Sequence, residues 1–142
     1  KPGWEDYRPE ARGIDPSQPD PNNMTHSVAR YELRDFLWDE AYPFIPLGGP
    51  TARWVWQATK VNQMMRTNKE LGKIQTPMLI MTGEWDIRAE NSRHAWYCKK
   101  LNAMGKTCEY IEVPEAYHEL LIESDKYRQP TMQTLLEFFS RY

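Results

Sequence analysis

The chain has 142 residues, of which 40% are hydrophobic and 27% charged, and its formal net charge is -2. That balance fits about one globular domain rather than a disordered tail. It offers no basic excess for binding nucleic acid, and no apolar run approaches the ~20 residues of a membrane-spanning helix.

Five of the eleven prolines (Pro2, Pro9, Pro16, Pro19, Pro21) fall before residue 22. Proline removes backbone donors and disfavours helix at the residue before it, so this stretch is expected to be an extended connection. It opens on Lys1 with no signal-peptide pattern, which suggests an interior cut in a longer protein. A helix is expected from Thr25 to Asp39, broken by three prolines and Gly48-Gly49 between Tyr42 and Pro50. A second helix follows, capped by Thr51, with Trp54, Ala58, Val61 and Met65 at helical spacing and Gly72 as a left-handed stop.

Pro77-Met78-Leu79-Ile80-Met81 is an uninterrupted apolar run ending at Gly83, the pattern of a strand buried on both faces of a parallel sheet. Ser92 is the expected cap of a helix running to Met104, with Gly105 as its stop. Cys108 to Val113 reads as a more polar strand nearer a sheet edge. Pro130 to Arg141 reads as a final helix, since proline is well tolerated at a first helical position. The two cysteines, Cys98 and Cys108, are expected to be buried free thiols rather than a disulfide. From Pro77 onward the order is strand, helix, strand, helix, so the fold class is α/β with a parallel sheet. Two strands cannot bury both faces of a sheet, so further strands are expected from elsewhere, most simply from sequence before Lys1.

Reactive groups of open α/β sheets gather just past the C-terminal ends of strands. Asp86 follows the first strand and His118, in Ala116-Tyr117-His118-Glu119, follows the second. Acid then histidine is the chain order of the α/β-hydrolases, where a serine precedes both. There the carboxylate fixes the imidazole tautomer and stabilises the imidazolium that forms. Each residue alone has a plainer reading, as a turn aspartate or a structural histidine; together, at equivalent strand ends, they point to catalysis. None of the five serines lies in a G-x-S-x-G elbow, so no nucleophile is found in this chain, and the fragment alone is expected to be inactive. His94 and Cys98 have a spacing that suits two metal ligands, but no further ligands gather around them. A surface histidine is expected there, and neither a metal nor a cofactor is.

On these residues the chain resembles the C-terminal half of an α/β-hydrolase lipase of the monoacylglycerol lipase-like branch, nearest the bacterial lysophospholipase L2 group. The likeness rests on Asn23-Met24-Thr25-His26-Ser27 with Arg30-Tyr31, on Gly48-Gly49-Pro50-Thr51 with Trp54, and on the Gly83 to Asp86 segment. Its last element is Ala116-Tyr117-His118-Glu119-Leu120-Leu121-Ile122-Glu123 with Asp125 and Arg128. It implies Asp86 as triad acid and His118 as triad base.

It also implies an organisation: a proline-rich connection over 1–22, a helical cap over 23–72, and the last strands and helices of the hydrolase core over 73–142. The sheet would be incomplete without the N-terminal half of the same protein, which is then a partner. The implied substrate is a lysophospholipid, with a monoacylglycerol or another acyl ester as the alternative. Phe36, Trp38, Phe44, Ile45, Trp54 and Trp56 would line an acyl channel or simply form the cap's own core. Thr25-His26-Ser27 and Arg30 would contact a polar head group, unless Arg30 pairs with Glu32 or Asp35. Glu119, Glu123 and Arg128 would hold the His118 loop to the final helix. The expected location is cytoplasmic, or peripheral at a bacterial inner membrane. A non-catalytic module completing its sheet with a partner chain, and a hydrolase of this fold with an aspartate nucleophile, are the remaining alternatives.

Overall fold

The computed structural model describes residues 24–42 and 50–142, apart from the side chain of Asp39. The expected 1–22 connection, Phe44, Ile45 and Gly48-Gly49 lie outside these residues. The described chain divides into two compact units. One holds residues 37–42 and 50–74, the other residues 24–36 and 75–142. The packing thus cuts across the 23–72 segment, because the Met24 to Phe36 stretch groups with the C-terminal unit.

In the smaller unit, a single π-helical turn over Leu37–Ala41 precedes α2 (Ala52–Met64) and α3 (Asn68–Leu71). Thr51 caps α2 as expected, its hydroxyl accepting from Trp54 N at 3.1 Å. The helix does not continue to Gly72. Thr67 interrupts it by donating to Met64 O at 2.9 Å and accepting from Glu70 N at 3.3 Å. One hydroxyl thereby satisfies an end carbonyl of α2 and a first-turn amide of α3. Gly72 has φ -62, so the expected left-handed stop is absent there.

The larger unit begins with α1 (Val28–Phe36), shorter at its start than the sequence suggests. Thr25, His26 and Ser27 are engaged outside the helix; Ser27 Oγ accepts from Arg30 N at 3.4 Å in the manner of a cap. Strands β1 (Met78–Gly83) and β2 (Cys108–Val113) pair in parallel, with Met78 opposite Cys108 and Gly83 opposite Val113. Met78 to Met81 were expected to be buried on both faces. They are half-buried, because β2 is the one strand paired with β1 among the described residues.

The crossover helix α4 (Asn91–Ala103) starts one residue before the expected cap, Ser92, with Glu90 in the capping position. Its end is as expected. Gly105, at φ +72, donates to Asn102 O, and Lys106 N reaches Leu101 O, both at 3.0 Å. That is the paired closure of a Schellman motif. Asn102 then grips the first residue of β2, with its amide nitrogen on Cys108 O at 2.8 Å and its oxygen accepting from Cys108 N at 2.9 Å.

Cys98 and Cys108 form a disulfide with Cα atoms 5.1 Å apart, which corrects the expectation of free thiols. Spacing along the chain does not reveal that α4 folds back over the start of β2. A bridge closing so short a loop contributes about 2 to 3 kcal/mol in the chain-entropy account. Thermal unfolding with and without dithiothreitol should show a Tm lower by roughly 5 to 10 °C in the reduced protein. Equal melting temperatures would deny the bridge a stabilising role.

Helix α5 (Asp125–Ser140) begins five residues before the expected Pro130. Pro130 lies within it, and the helix is begun instead by Ser124, whose carbonyl accepts from Tyr127 N and Arg128 N at 3.0 and 2.9 Å. The core cluster beneath the strand ends holds Ala116, Leu120 and Tyr127, packed with Met81 and Val113. Among the described residues no helix is long and apolar enough to cross a membrane.

Candidate active site

Pairing continues past the ends of both strands. Glu84 N donates to Val113 O and Trp85 N to Ala116 O, each at 3.0 Å, so the two post-strand loops run side by side. Gly83 lets them meet: a Cβ there would lie 2.2 Å from Tyr117 O and 2.4 Å from Ala116 O. Glu115 reverses the second loop with φ 60, and its amide bonds Glu84 Oε2 at 2.8 Å. Asp86 and His118 are therefore carried to the same rim of the sheet.

His118 Nδ1 lies 2.8 Å from Asp86 Oδ2. The other carboxylate oxygen accepts from Arg88 N at 2.7 Å and Ala89 N at 3.1 Å. The Asp86 side chain is 4% exposed and that of His118 36%. Burial pushes the Asp86 carboxyl up, but the bonds from His118 and the two amides outweigh it and hold it below the usual aspartate range. An ionised carboxylate only accepts, so Nδ1 carries the proton and Nε2 is left with the lone pair. An imidazole in that tautomer, fixed by a buried acid and open on its far nitrogen, is set up for general base catalysis.

A second histidine–carboxylate pair lies beside the first. His26 Nδ1 is 2.8 Å from Glu123 Oε1, and the Glu123 side chain is fully buried. Burial raises the Glu123 carboxyl, but the amides of Tyr117, Ser124 and His26 and the His26 ring outweigh that and lower it overall. Both lowered carboxylates favour the folded state when ionised. That stability is complete above their unfolded values near 4 and is lost as pH falls through the folded ones. Denaturant midpoints measured between pH 7 and 3 should therefore drop below about pH 4.5, less steeply in Asp86→Asn. A flat profile would contradict the burial and bonding of these groups.

The structure brings together Asp86 and His118, and it gathers His26 and Arg30 around Glu123. Arg30 bonds the carbonyl of Glu123 and the carboxylate of Asp125. Neither Glu32 nor Asp35 is its partner in these bonds; Asp35 pairs with Arg34 at 2.8 Å. Trp38 and Trp54 lie in the smaller unit, 40% and 63% exposed. His94 is half-buried rather than a surface residue, and Cys98 is committed to the disulfide. No group of three or more metal-ligating side chains occurs among the described residues. Glu123 and Arg128 tie the His118 loop to α5 as expected, with Arg128 Nε reaching Leu121 O at 2.8 Å, whereas Glu119, expected beside them, bonds through its backbone amide to Met24 O. Thr25 was expected with its neighbours at a head group; sequence reasoning missed that it is 2% exposed, with its hydroxyl donating to Ile122 O at 2.9 Å, since nothing in the local sequence signals that bond. It also missed the Arg88 and Ala89 amides, for which an aspartate two residues before its donor is the available cue.

The family model described as serine aminopeptidase, S33, matches residues 16–125. Lysophospholipase L2 of Escherichia coli K12 is 31% identical over 126 residues, spanning 85% of this chain and 36% of that protein. The probable lysophospholipase L2 of Haemophilus influenzae is 32% identical over 119 residues, again with 36% of its length covered. The chain thus spans little more than a third of these curated relatives. A solved structure of a soluble variant of monoglyceride lipase from Saccharomyces cerevisiae, in complex with a substrate analogue, matches with a TM-score of 0.65. That match covers 88% of this chain and 42% of the other at 17% identity, and it is a likeness of fold.

Proposed function

Because the chain belongs to the serine aminopeptidase S33 family of α/β-hydrolases, we propose that Asp86 and His118 are the acid and base of a serine carboxylic-ester hydrolase acting on lysophospholipids. The nucleophile in this reading is a serine of the whole protein outside these 142 residues. The hydrogen bond between Asp86 and His118 Nδ1, at the shared rim of the two strands, carries the proposal. The serine hydroxyl attacks the ester carbonyl and its proton passes to His118 Nε2. The imidazolium gains stability from Asp86 and then protonates the departing glycerol oxygen, leaving an acyl-enzyme. Water repeats the cycle and releases the fatty acid. The reading of residues 23–72 as a cap, with Trp38 and Trp54 as acyl-chain residues, belongs to this proposal. So does work at a lipid–water surface, in the cytoplasm or peripheral to the inner membrane, where substrates of this kind collect.

Fatty-acid release by the whole protein from a lysophospholipid and from a monoacylglycerol with the same acyl chain tests the substrate. We expect the higher kcat/KM on the lysophospholipid. Preference for the glyceride would remove the lysophospholipid assignment while leaving an ester hydrolase.

A further inference from the structure

His118 is held on both sides by residues that are themselves pinned to a segment more than ninety positions earlier. On one side, Tyr117 N donates to Glu123 Oε1 at 3.0 Å, and the Tyr117 ring lies flat on the His26 ring, with centroids 4.2 Å apart and 14° between planes. On the other side, Glu119 N donates to Met24 O at 2.8 Å. The Glu123 carboxylate also accepts from His26 N at 3.0 Å and Ser124 N at 2.7 Å, besides the His26 ring. A fully buried carboxylate is costly unless its lone pairs are filled, and here donors come from three separate stretches of chain.

We infer that Glu123 and His26 are positioning residues for His118, acting through the Tyr117 amide and the stacked Tyr117 ring. The inference rests on the reading of Asp86 and His118 as acid and base. Glu123 fixes the backbone next to the base, and His26 closes the knot from below, with Nδ1 donating to the carboxylate and its face bearing on Tyr117. Loosening either would let the imidazole drift from Asp86, and misplacement of a reacting group by about 1 Å costs on the order of 100-fold in rate.

Glu123→Gln keeps the shape of the side chain but places an amide donor among N–H donors. His26→Phe keeps the ring on Tyr117 while removing its hydrogen bond, and it serves where the first variant folds poorly. In the whole protein both should lose about 10- to 100-fold in kcat per folded molecule, with KM changed less than about threefold. The downfield proton resonance of the His118–Asp86 hydrogen bond should shift or broaden in both, a readout that needs no substrate. Wild-type kcat and an unmoved resonance in folded variants would overturn the inference, leaving Glu123 and His26 as fold stabilisers only. His118→Ala measured alongside separates the two levels. Turnover in that protein would reject the acid–base reading, whereas its inactivity beside a fully active Glu123→Gln would reject positioning alone.

Discussion

His118→Ala in the whole protein is expected to lower kcat by about four to six orders of magnitude with folding intact. The side chain is more than a third exposed and its polar contact is with Asp86, so removing it opens no large core cavity. On the acid–base reading, what is lost is the proton acceptor for the nucleophile and the donor for the leaving group. Asp86→Asn should cost about four orders of magnitude, because an amide facing Nδ1 can donate to it and favour the wrong tautomer. Of the two, the aspartate change should also weaken folding. Its Oδ1 accepts from the Arg88 and Ala89 amides, and an asparagine keeps an acceptor there only by aiming its NH2 at Nδ1; the reverse orientation serves the histidine and leaves a donor facing the two amides. Turnover assays with circular dichroism on the same samples check both statements. Near-wild-type rates in folded His118→Ala protein would end the acid–base assignment.

Gly83→Ala is expected to destabilise the fold by about 3 kcal/mol or more and to impair the site as well. Its added methyl would stand 2.2 and 2.4 Å from two backbone carbonyl oxygens, and backbone cannot rotate away as a flexible side chain can. Overpacking a well-filled site costs about 1 to 3 kcal/mol when only side chains must move. Here the loop bearing His118 must separate from the loop bearing Asp86. A Tm lower by roughly 10 °C and a large loss of kcat are therefore linked outcomes. Gly105→Ala is the informative comparison. Nothing lies within 4 Å of a Cβ there, and the cost is the positive φ alone, about 1 kcal/mol, with activity retained. Equal stability of Gly83→Ala and the wild type would show that the loops do not approach as closely as described.

Much of this architecture was legible in the residues, where the signal is local. The apolar run after Pro77, the Gly105 stop and the Thr51 cap each act within a few positions, and each appears where expected. The order of acid and histidine after successive strands was enough to pair Asp86 with His118, because parallel strands deliver their C-terminal ends to one rim. Helix starts were read less well. Ser92 and Pro130 look like beginnings in isolation, yet α4 and α5 start earlier. For α5 the Glu123 carboxylate, fixed from far away in the chain, organises the turn at Ser124.

What only the tertiary structure decided lies between positions distant in sequence. The residues pointed to free thiols, and the Cys98–Cys108 bridge overturned that, because it depends on how α4 closes onto β2. Arg30 had acidic neighbours on its own helix and took Asp125 instead. The family resemblance drew attention to His26, but only packing showed its Nδ1 on a carboxylate 97 residues away. A one-dimensional pattern records which faces want burial. It does not record which buried charge will meet which donor, because desolvation makes that choice only once the chain has closed.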